Sequence, residues 1–176
     1  MNVQKMIDYY RTNGGWLGDR KRPERLVPYL ADCGSVLDVG CGDGALLAAL
    51  RQAGKSPSYT GIECVPDHHR KAANRFPDAE WLCADFMEWD AVYITFDAVV
   101  ACTTFSGDGW KDADIPLAVY KMWALARKRV LIYYNHFGWI LPQVCERYGA
   151  KVIDYPDGDA LLCLEKSAVA SDAVRK

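Results

Sequence analysis

Apolar residues along this chain follow two periodicities, one typical of buried strands and the other of amphipathic helices. Short apolar runs are separated by longer stretches in which apolar residues recur every three or four positions. Strands and helices therefore alternate from Ser35 onward, which favours a mostly parallel sheet with helices on both faces. The predicted strands span 35–40, 58–63, 79–83, 95–101, 129–135, 151–155 and 160–165, and the predicted helices span 44–53, 66–76, 113–127 and 138–148.

Two amphipathic stretches precede the first predicted strand. One ends at the glycines 14 and 15, and the other begins near Pro23 and turns Leu26 and Leu30 inward. The alternating fold has no place for them, so we interpret residues 1–33 as a helical cap over the ligand-binding edge of the sheet. The alternative is that they only cover the sheet. Residues 34–166 then form the core of a single domain, and residues 167–176, which lack a core pattern, form a flexible tail.

The segment 36–44, which reads VLDVGCGDG, is the most informative part of the sequence. An apolar strand breaks there into a turn with three alternating glycines at positions 40, 42 and 44. Glycine allows positive φ and lets a ligand approach the backbone where a Cβ would collide. The helix that follows directs its first free amides into the same space. The segment therefore predicts a binding site for a nucleoside cofactor.

The charge of this turn helps to choose between two cofactors. Gly40, Gly42 and Ala45 also match a dinucleotide fingerprint, with Glu63 downstream as a ribose-binding acid, so an NAD-dependent oxidoreductase is one alternative. A pyrophosphate is anionic, however, and Asp38 and Asp43 flank the glycines. S-adenosylmethionine carries a cationic sulfonium and an ammonium group, which an acid attracts in a partly desolvated cleft. The turn therefore favours S-adenosylmethionine.

Four motifs in order over residues 36–102 make the chain resemble the class I S-adenosylmethionine-dependent methyltransferases. The resemblance implies a Rossmann-like, doubly wound, mostly parallel sheet of seven strands with a terminal antiparallel hairpin strand. It also implies that Glu63 binds the ribose hydroxyls, that Asp85 meets the adenine amino group, and that the fourth strand ends beside the methionine half. The cofactor-binding residues implied in this way are Asp38, Gly40, Cys41, Gly42, Gly44, Glu63, Cys64, Asp85, Phe86, Ala101 and Cys102.

Each of the three acids also has a simpler interpretation. Asp38 is also compatible with a turn cap that binds no ligand. Glu63, at the end of a strand, is compatible with a solvated rim charge. Asp85 precedes a short helical pattern, where Asp is a preferred N-cap residue.

Aromatic residues cluster in three segments expected at the carboxyl ends of the strands, where ligands of open α/β sheets bind. They predict a pocket for an apolar or planar methyl acceptor. The predicted lining residues are Tyr10, Trp16, Thr103, Phe105, Trp110 and Trp139. His136 is the best-placed candidate for a general base, with Tyr134 second, although a histidine at a strand end is as often a structural hydrogen-bonding residue. His68 and His69 are expected to be solvated on a surface helix.

The composition argues against several classes of function, namely those that need a nucleic-acid partner, a membrane or a metal ion. The chain has 176 residues, a net charge of −2 and no apolar stretch long enough for a membrane span or signal peptide, so a cytoplasmic protein without nucleic-acid or membrane partners is expected. Seven scattered cysteines lack metal-binding or disulfide spacings and are expected to be buried thiols with no metal. The basic run 19–25 is either a solvated helix start or a patch that steers an anionic acceptor.

The leading hypothesis is a methyltransferase with a small-molecule acceptor, because few residues lie beyond the catalytic core. The loop Ala101-Cys102-Thr103-Thr104-Phe105 lacks the prolines typical of the base-carbon and amino-methylating nucleic-acid enzymes. A protein or nucleic-acid acceptor and a non-catalytic, cofactor-binding partner subunit are the alternatives. The acceptor atom and the oligomeric state do not follow from the sequence.

Overall fold

The computed structural model describes residues 4, 21–91, 93–106, 110–134, 143 and 146–166, and its centre is a seven-stranded sheet. The strands are β1 (Ser35–Val39), β2 (Ser58–Glu63), β3 (Glu80–Cys83), β4 (Phe96–Cys102), β5 (Ala126–Tyr134), β6 (Lys151–Asp154) and β7 (Ala160–Glu165). The helices are α1 (Lys21–Leu26), α2 (Ala45–Gln52), α3 (Pro66–Arg75) and α4 (Ile115–Leu125), with 3-10 turns at Val27–Leu30 and Thr104–Ser106.

The strand order is β3-β2-β1-β4-β5-β7-β6. Strands β1 to β5 are parallel to one another, whereas β7 is antiparallel to both β5 and β6. The chain builds outward from β1 through β2 to β3 and then returns to the other side of β1 with β4. This reversal places the ligand-binding crevice of a doubly wound sheet at the carboxyl ends of β1 and β4. The predicted fold class is confirmed.

Two apolar clusters fill the two faces of the sheet. Along β1, Val36 belongs to one cluster and Leu37 to the other, because successive side chains of a strand point to opposite faces. The first cluster includes the buried leucines of α1 and α2, such as Leu26 and Leu50, and the second includes Met122 of α4. The central strands are thus covered on both faces, and functional side chains must lie at the strand ends.

Some sequence predictions need correction. The helix predicted over 113–127 ends at Leu125, and β5 begins at Ala126 rather than at 129, because Ala126 already pairs with Phe96 of β4 and Arg127 reaches Asp97 at 3.0 Å. His68 is buried rather than solvated, because α3 turns it toward the protein. Cys83 is exposed at the end of the edge strand β3, so not every cysteine is a buried thiol.

Three predicted segments lie wholly or largely outside the described residues. They are the first cap helix, most of the helix predicted over 138–148, and the tail 167–176. In the described part of the chain, the helices are too short or too polar to cross a membrane.

Candidate functional site

The carboxyl ends of β1, β2 and β4 meet at the reversal point of the sheet. Asp38 pairs in register with Gly61 of β2 on one side and with Val100 of β4 on the other. Glu63 ends β2 and Cys102 ends β4. The structure therefore brings together residues that the sequence predicted for one site, although they lie up to 64 positions apart in the chain (102 − 38).

The glycine turn after β1 has the predicted conformation. Gly40, Gly42 and Gly44 all have positive φ, at 71°, 56° and 81°. A Cβ on Gly40 would lie 2.6 Å from the side chain of Thr104, so only glycine fits there. The Thr104 hydroxyl donates to the carbonyl of Val39 at 2.7 Å. The turn is thus held from the β4 side by a threonine that sequence reasoning missed.

Asp38 is buried beneath this turn, with only 2% of its surface exposed. The hydroxyl of Tyr59 donates a hydrogen bond to its Oδ2 atom, whereas Oδ1 is buried and accepts none from the described residues. Burial raises the pKa of Asp38 to about 7; the bond from Tyr59 opposes this rise, and the charge of Glu63 adds to it. Its hydrogen bond goes to β2, which does not support a role as a turn cap.

Glu63 is also buried, at 6% exposure, so its interpretation as a solvated rim charge is wrong. Its Oε2 accepts the amide of Gly42 at 2.9 Å, and its Oε1 accepts the amide of Val65 at 2.8 Å. One carboxylate therefore ties the glycine turn to the loop after β2. Each oxygen keeps a second acceptor position, so a role in ribose binding stays a prediction compatible with this geometry.

Asp85 follows β3 and caps the turn that begins there. Its Oδ1 accepts the amide of Met87 at 2.9 Å, as expected for the capping interpretation. The side chain of Phe86 is buried in the core, and Lys121 of α4 donates to the carbonyls of Phe86 and Trp89 at 2.6 and 2.5 Å. The loop predicted to meet adenine is thus fixed from α4 by a lysine that the sequence did not single out.

The three cysteines predicted to flank the cofactor are neutral thiols. Burial raises the pKa of Cys41 and Cys102 well above the ordinary value and that of Cys64 to about 12. A thiol in this state is a poor nucleophile. The site therefore contains no activated cysteine among these three, and their contribution to a ligand is packing.

The predicted acceptor-lining residues that the structure describes lie in or next to the core. Thr103 has a positive φ of 58°, and its amide donates to the carbonyl of Tyr133 at 2.7 Å. Phe105 and Trp110 are buried and meet edge to face, with ring centroids 4.8 Å apart. Tyr134 is buried in the same apolar cluster. The predicted base His136 and the predicted lining residues Tyr10, Trp16 and Trp139 lie outside the described residues.

The basic run 19–25 lies before β1, and its arginines 22 and 25 are paired with acids. At these described positions the run is neither a solvated helix start nor an open patch for an anion. Arg22 donates from Nε and Nη2 to Asp159 at 2.8 and 3.3 Å, and Arg25 donates to both oxygens of Asp157 at 3.0 and 2.6 Å. The Tyr133 hydroxyl donates to Asp159 at 2.9 Å. These bonds fasten α1 to the β6–β7 turn at the carboxyl edge of β5. We call this arrangement the α1–hairpin clamp.

The acidic side chains around the glycine turn fit S-adenosylmethionine better than they fit a dinucleotide. A buried carboxylate oxygen without a hydrogen-bond donor suits a cationic group, and two buried acids beside the glycines oppose a pyrophosphate. Groups of three His, Cys, Asp or Glu side chains suited to a metal ion do not occur in the part of the chain that the structure describes.

Known proteins share both the sequence motifs and the fold. An uncharacterized methyltransferase of Mycobacterium bovis is 41% identical over 80 residues, which cover 44% of this chain and 39% of that protein. The malonyl-[acyl-carrier protein] O-methyltransferase of Anoxybacillus flavithermus is 34% identical over 73 residues, which cover 40% of this chain and 28% of that protein. Each match thus spans less than half the length of the curated relative.

A solved structure extends the similarity to nearly the whole fold. The magnesium protoporphyrin IX methyltransferase of Synechocystis, crystallised with bound S-adenosylmethionine, superposes with a TM-score of 0.73 at 14% identity and covers 94% of this chain and 97% of its own. A family model described as a methyltransferase domain matches residues 36–129, just over half of the chain. The predicted family and the S-adenosylmethionine cofactor that it implies are confirmed at the level of the family: this chain belongs to the methyltransferase-domain family.

Proposed function

We propose that this protein is an S-adenosylmethionine-dependent methyltransferase that acts on a small-molecule acceptor. The observation that carries the proposal is the Oδ1 atom of Asp38, buried without a hydrogen-bond donor from the described residues at the reversal point of the sheet and beneath the glycine turn. A buried acceptor of this kind is costly unless a ligand satisfies it. Membership of the methyltransferase-domain family supports the same conclusion.

The cofactor is assigned to the residues at the strand ends. Asp38 accepts hydrogen bonds from the ammonium side of the cofactor, and Glu63 from its ribose. Asp85 and Cys64 flank the adenine, and Cys102 at the end of β4 lies beside the methionine half. When bound, S-adenosylmethionine supplies a methyl group on a cationic sulfur. The protein contributes positioning and exclusion of water, since an in-line displacement needs little else from its side chains.

Two observations support a small molecule as the methyl acceptor. The net charge of −2 provides no general attraction for a nucleic-acid backbone. One solved structure of similar fold, of which this chain covers 97%, is a methyltransferase of magnesium protoporphyrin IX, a planar small molecule. His136 is the proposed base for an acceptor that must lose a proton, with Tyr134 second, and the six predicted lining residues form the proposed acceptor pocket.

Calorimetric titration with S-adenosylmethionine and S-adenosylhomocysteine tests the cofactor assignment. Asp38→Ala and Glu63→Ala should each weaken binding by about 1 to 3 kcal/mol, the loss typical of a hydrogen bond to a charged group. Glu88→Gln, which removes an exposed acid, is the matched control. Absence of binding by the wild-type protein, or unchanged affinity in both alanine variants, refutes the proposed site.

Turnover separates the proposal from its alternatives. Incubation with labelled S-adenosylmethionine and a panel of phenolic, carboxylic and amine acceptors should transfer label to at least one compound. Cofactor binding without transfer to small molecules, proteins or nucleic acids identifies a non-catalytic partner subunit instead. A fluorescence change with NADH, but no heat with S-adenosylhomocysteine, identifies an oxidoreductase.

A further inference from the structure

Tyr59 is a buried residue of β2 for which the sequence predicted no functional role. Only 4% of its surface is exposed, and its ring packs against Trp81 with centroids 5.6 Å apart. The indole of Trp81 is itself fixed, since its Nε1 donates to the carbonyl of Phe76 at 2.8 Å. The Tyr59 ring therefore has little rotational freedom, and its hydroxyl is delivered to Oδ2 of Asp38.

Because of this bond, the two carboxylate oxygens of Asp38 have different surroundings. Oδ2 is satisfied within the protein by Tyr59, and Oδ1 is left without a donor from the described residues. A carboxylate held at one oxygen by a rigid donor is restrained in its rotation, so less freedom is lost when a ligand binds the other oxygen. We propose that Tyr59 is a positioning residue, whose hydroxyl holds Oδ2 of Asp38 so that Oδ1 receives the ammonium group of the cofactor. The inference rests on the proposed function, because it requires S-adenosylmethionine at this site.

Ionisation of Asp38 makes cofactor binding depend on pH, and the bond from Tyr59 shifts the pH at which affinity falls. Burial raises the pKa of Asp38 to about 7, and donation from Tyr59 counteracts part of that rise. The protonated form has no charge to attract an ammonium group, so affinity falls as pH drops through 7. Loss of the Tyr59 hydroxyl moves this fall to higher pH. Among the residues that the structure describes, the titratable and charged groups around Asp38 are Tyr59 and Glu63 of β2, Cys41 after β1 and Cys102 of β4, with Arg22 and Asp159 beyond Cys102.

A double-mutant cycle on the full chain tests the proposal. S-adenosylhomocysteine is titrated calorimetrically between pH 6 and 8 into the wild type, Tyr59→Phe, Asp38→Asn and the double variant. Tyr59→Phe should weaken binding by roughly three- to tenfold at pH 7, because Asp38 is then more often protonated and the ligand must itself order the carboxylate. In the Asp38→Asn background, the same change should alter affinity by less than about twofold, because a residue that acts through Asp38 has nothing left to act on.

Thr60→Val is the matched control. It removes another buried hydroxyl of β2 that donates to a carboxylate, in this case Glu80 at 2.7 Å. This variant should keep the wild-type affinity and pH profile. A loss equal to that of Tyr59→Phe would show general damage to the strand and overturn the proposal.

Three further results decide the matter. Equal affinities and pH profiles of Tyr59→Phe and the wild type overturn the inference while leaving the proposed function intact, as does an undiminished effect of Tyr59→Phe in the Asp38→Asn background. Failure of the wild type to bind overturns both proposals. If Tyr59→Phe does not fold, wild-type titration in two buffers of different ionisation enthalpy replaces it. Proton release on binding between pH 6 and 7 supports the ionisation of Asp38, and its absence refutes it.

Discussion

Replacing Glu63 with glutamine separates two roles that this residue combines. In the ligand-free protein, its carboxylate accepts the amides of Gly42 and Val65 at 2.9 and 2.8 Å and joins the loops that follow β1 and β2. In the proposed complex it also accepts the ribose hydroxyls. Glutamine has nearly the same shape but only one acceptor oxygen. One of the two amides must then face an NH2 group, which cannot accept its hydrogen bond.

The expected loss follows from these two bonds. Removing one hydrogen bond to a charged acceptor costs about 1.5 to 3 kcal/mol, and the other bond falls to the neutral value of about 1 kcal/mol. Glu63 is 6% exposed, so water does not readily replace the lost partner. We expect the free energy of unfolding to fall by about 2 to 4 kcal/mol, which in a domain of this size lowers Tm by roughly 4 to 16 °C.

Thermal unfolding with and without S-adenosylhomocysteine is the assay. The variant should have a lower Tm without ligand and also a smaller rise in Tm with ligand, because stabilisation by a ligand depends on its affinity. Glu88→Gln, on the surface, should behave as the wild type in both conditions. If the ligand-free Glu63→Gln protein melts within about 1 °C of the wild type, the two amide bonds contribute less than our reasoning requires.

Three other substitutions test the supports of the site. Gly61→Ala places a Cβ 2.5 Å from the Trp81 ring and should destabilise the protein by about 1 to 3 kcal/mol in urea unfolding; an unchanged midpoint would show that the ring moves away freely. Lys121→Met removes the hydrogen-bond donor to the turn after β3 and should weaken S-adenosylhomocysteine binding severalfold, as measured by calorimetry. An affinity equal to that of the wild type would contradict this role. Asp159→Asn removes the charge of a buried carboxylate that contacts Arg22 and Tyr133 and should lower the free energy of unfolding by about 3 kcal/mol. A urea midpoint equal to that of the wild type would mean that the α1–hairpin clamp contributes little.

The succession of strands and helices along the chain and the positions of the acids were predictable because both depend on local patterns. Period-2 and period-3.6 apolar spacing indicates strands and helices wherever one face is buried. The glycines at 40, 42 and 44 favour the turn through their own backbone freedom, which can be read from the sequence alone. Asp38 and Glu63 lie at or next to the last positions of apolar strands, so their location at the carboxyl edge needed only the parallel topology.

The residues that hold the site in place from neighbouring elements were not predictable, because each of them contacts a part of the chain far away in sequence. Tyr59 reads as an ordinary apolar strand residue until Asp38 is seen beside its hydroxyl. Thr104 and Lys121 carry no motif, and their roles depend on the carbonyls that β1 and the turn after β3 present to them. Arg22 seemed a solvated charge because its partner lies 137 positions away.

The α1–hairpin clamp has a consequence for the order of events during synthesis. Arg22 and Arg25 leave the ribosome long before Asp159 and Asp157, which follow them by 137 and 132 positions. Chains emerge from the N-terminal end at about 5 to 20 residues per second, so these two acids become available only after almost the entire sheet has been translated. Leu26 of α1 can pack against the leucines of α2 soon after both helices emerge, whereas the ionic contacts of the clamp can form only once the β6–β7 turn has been made.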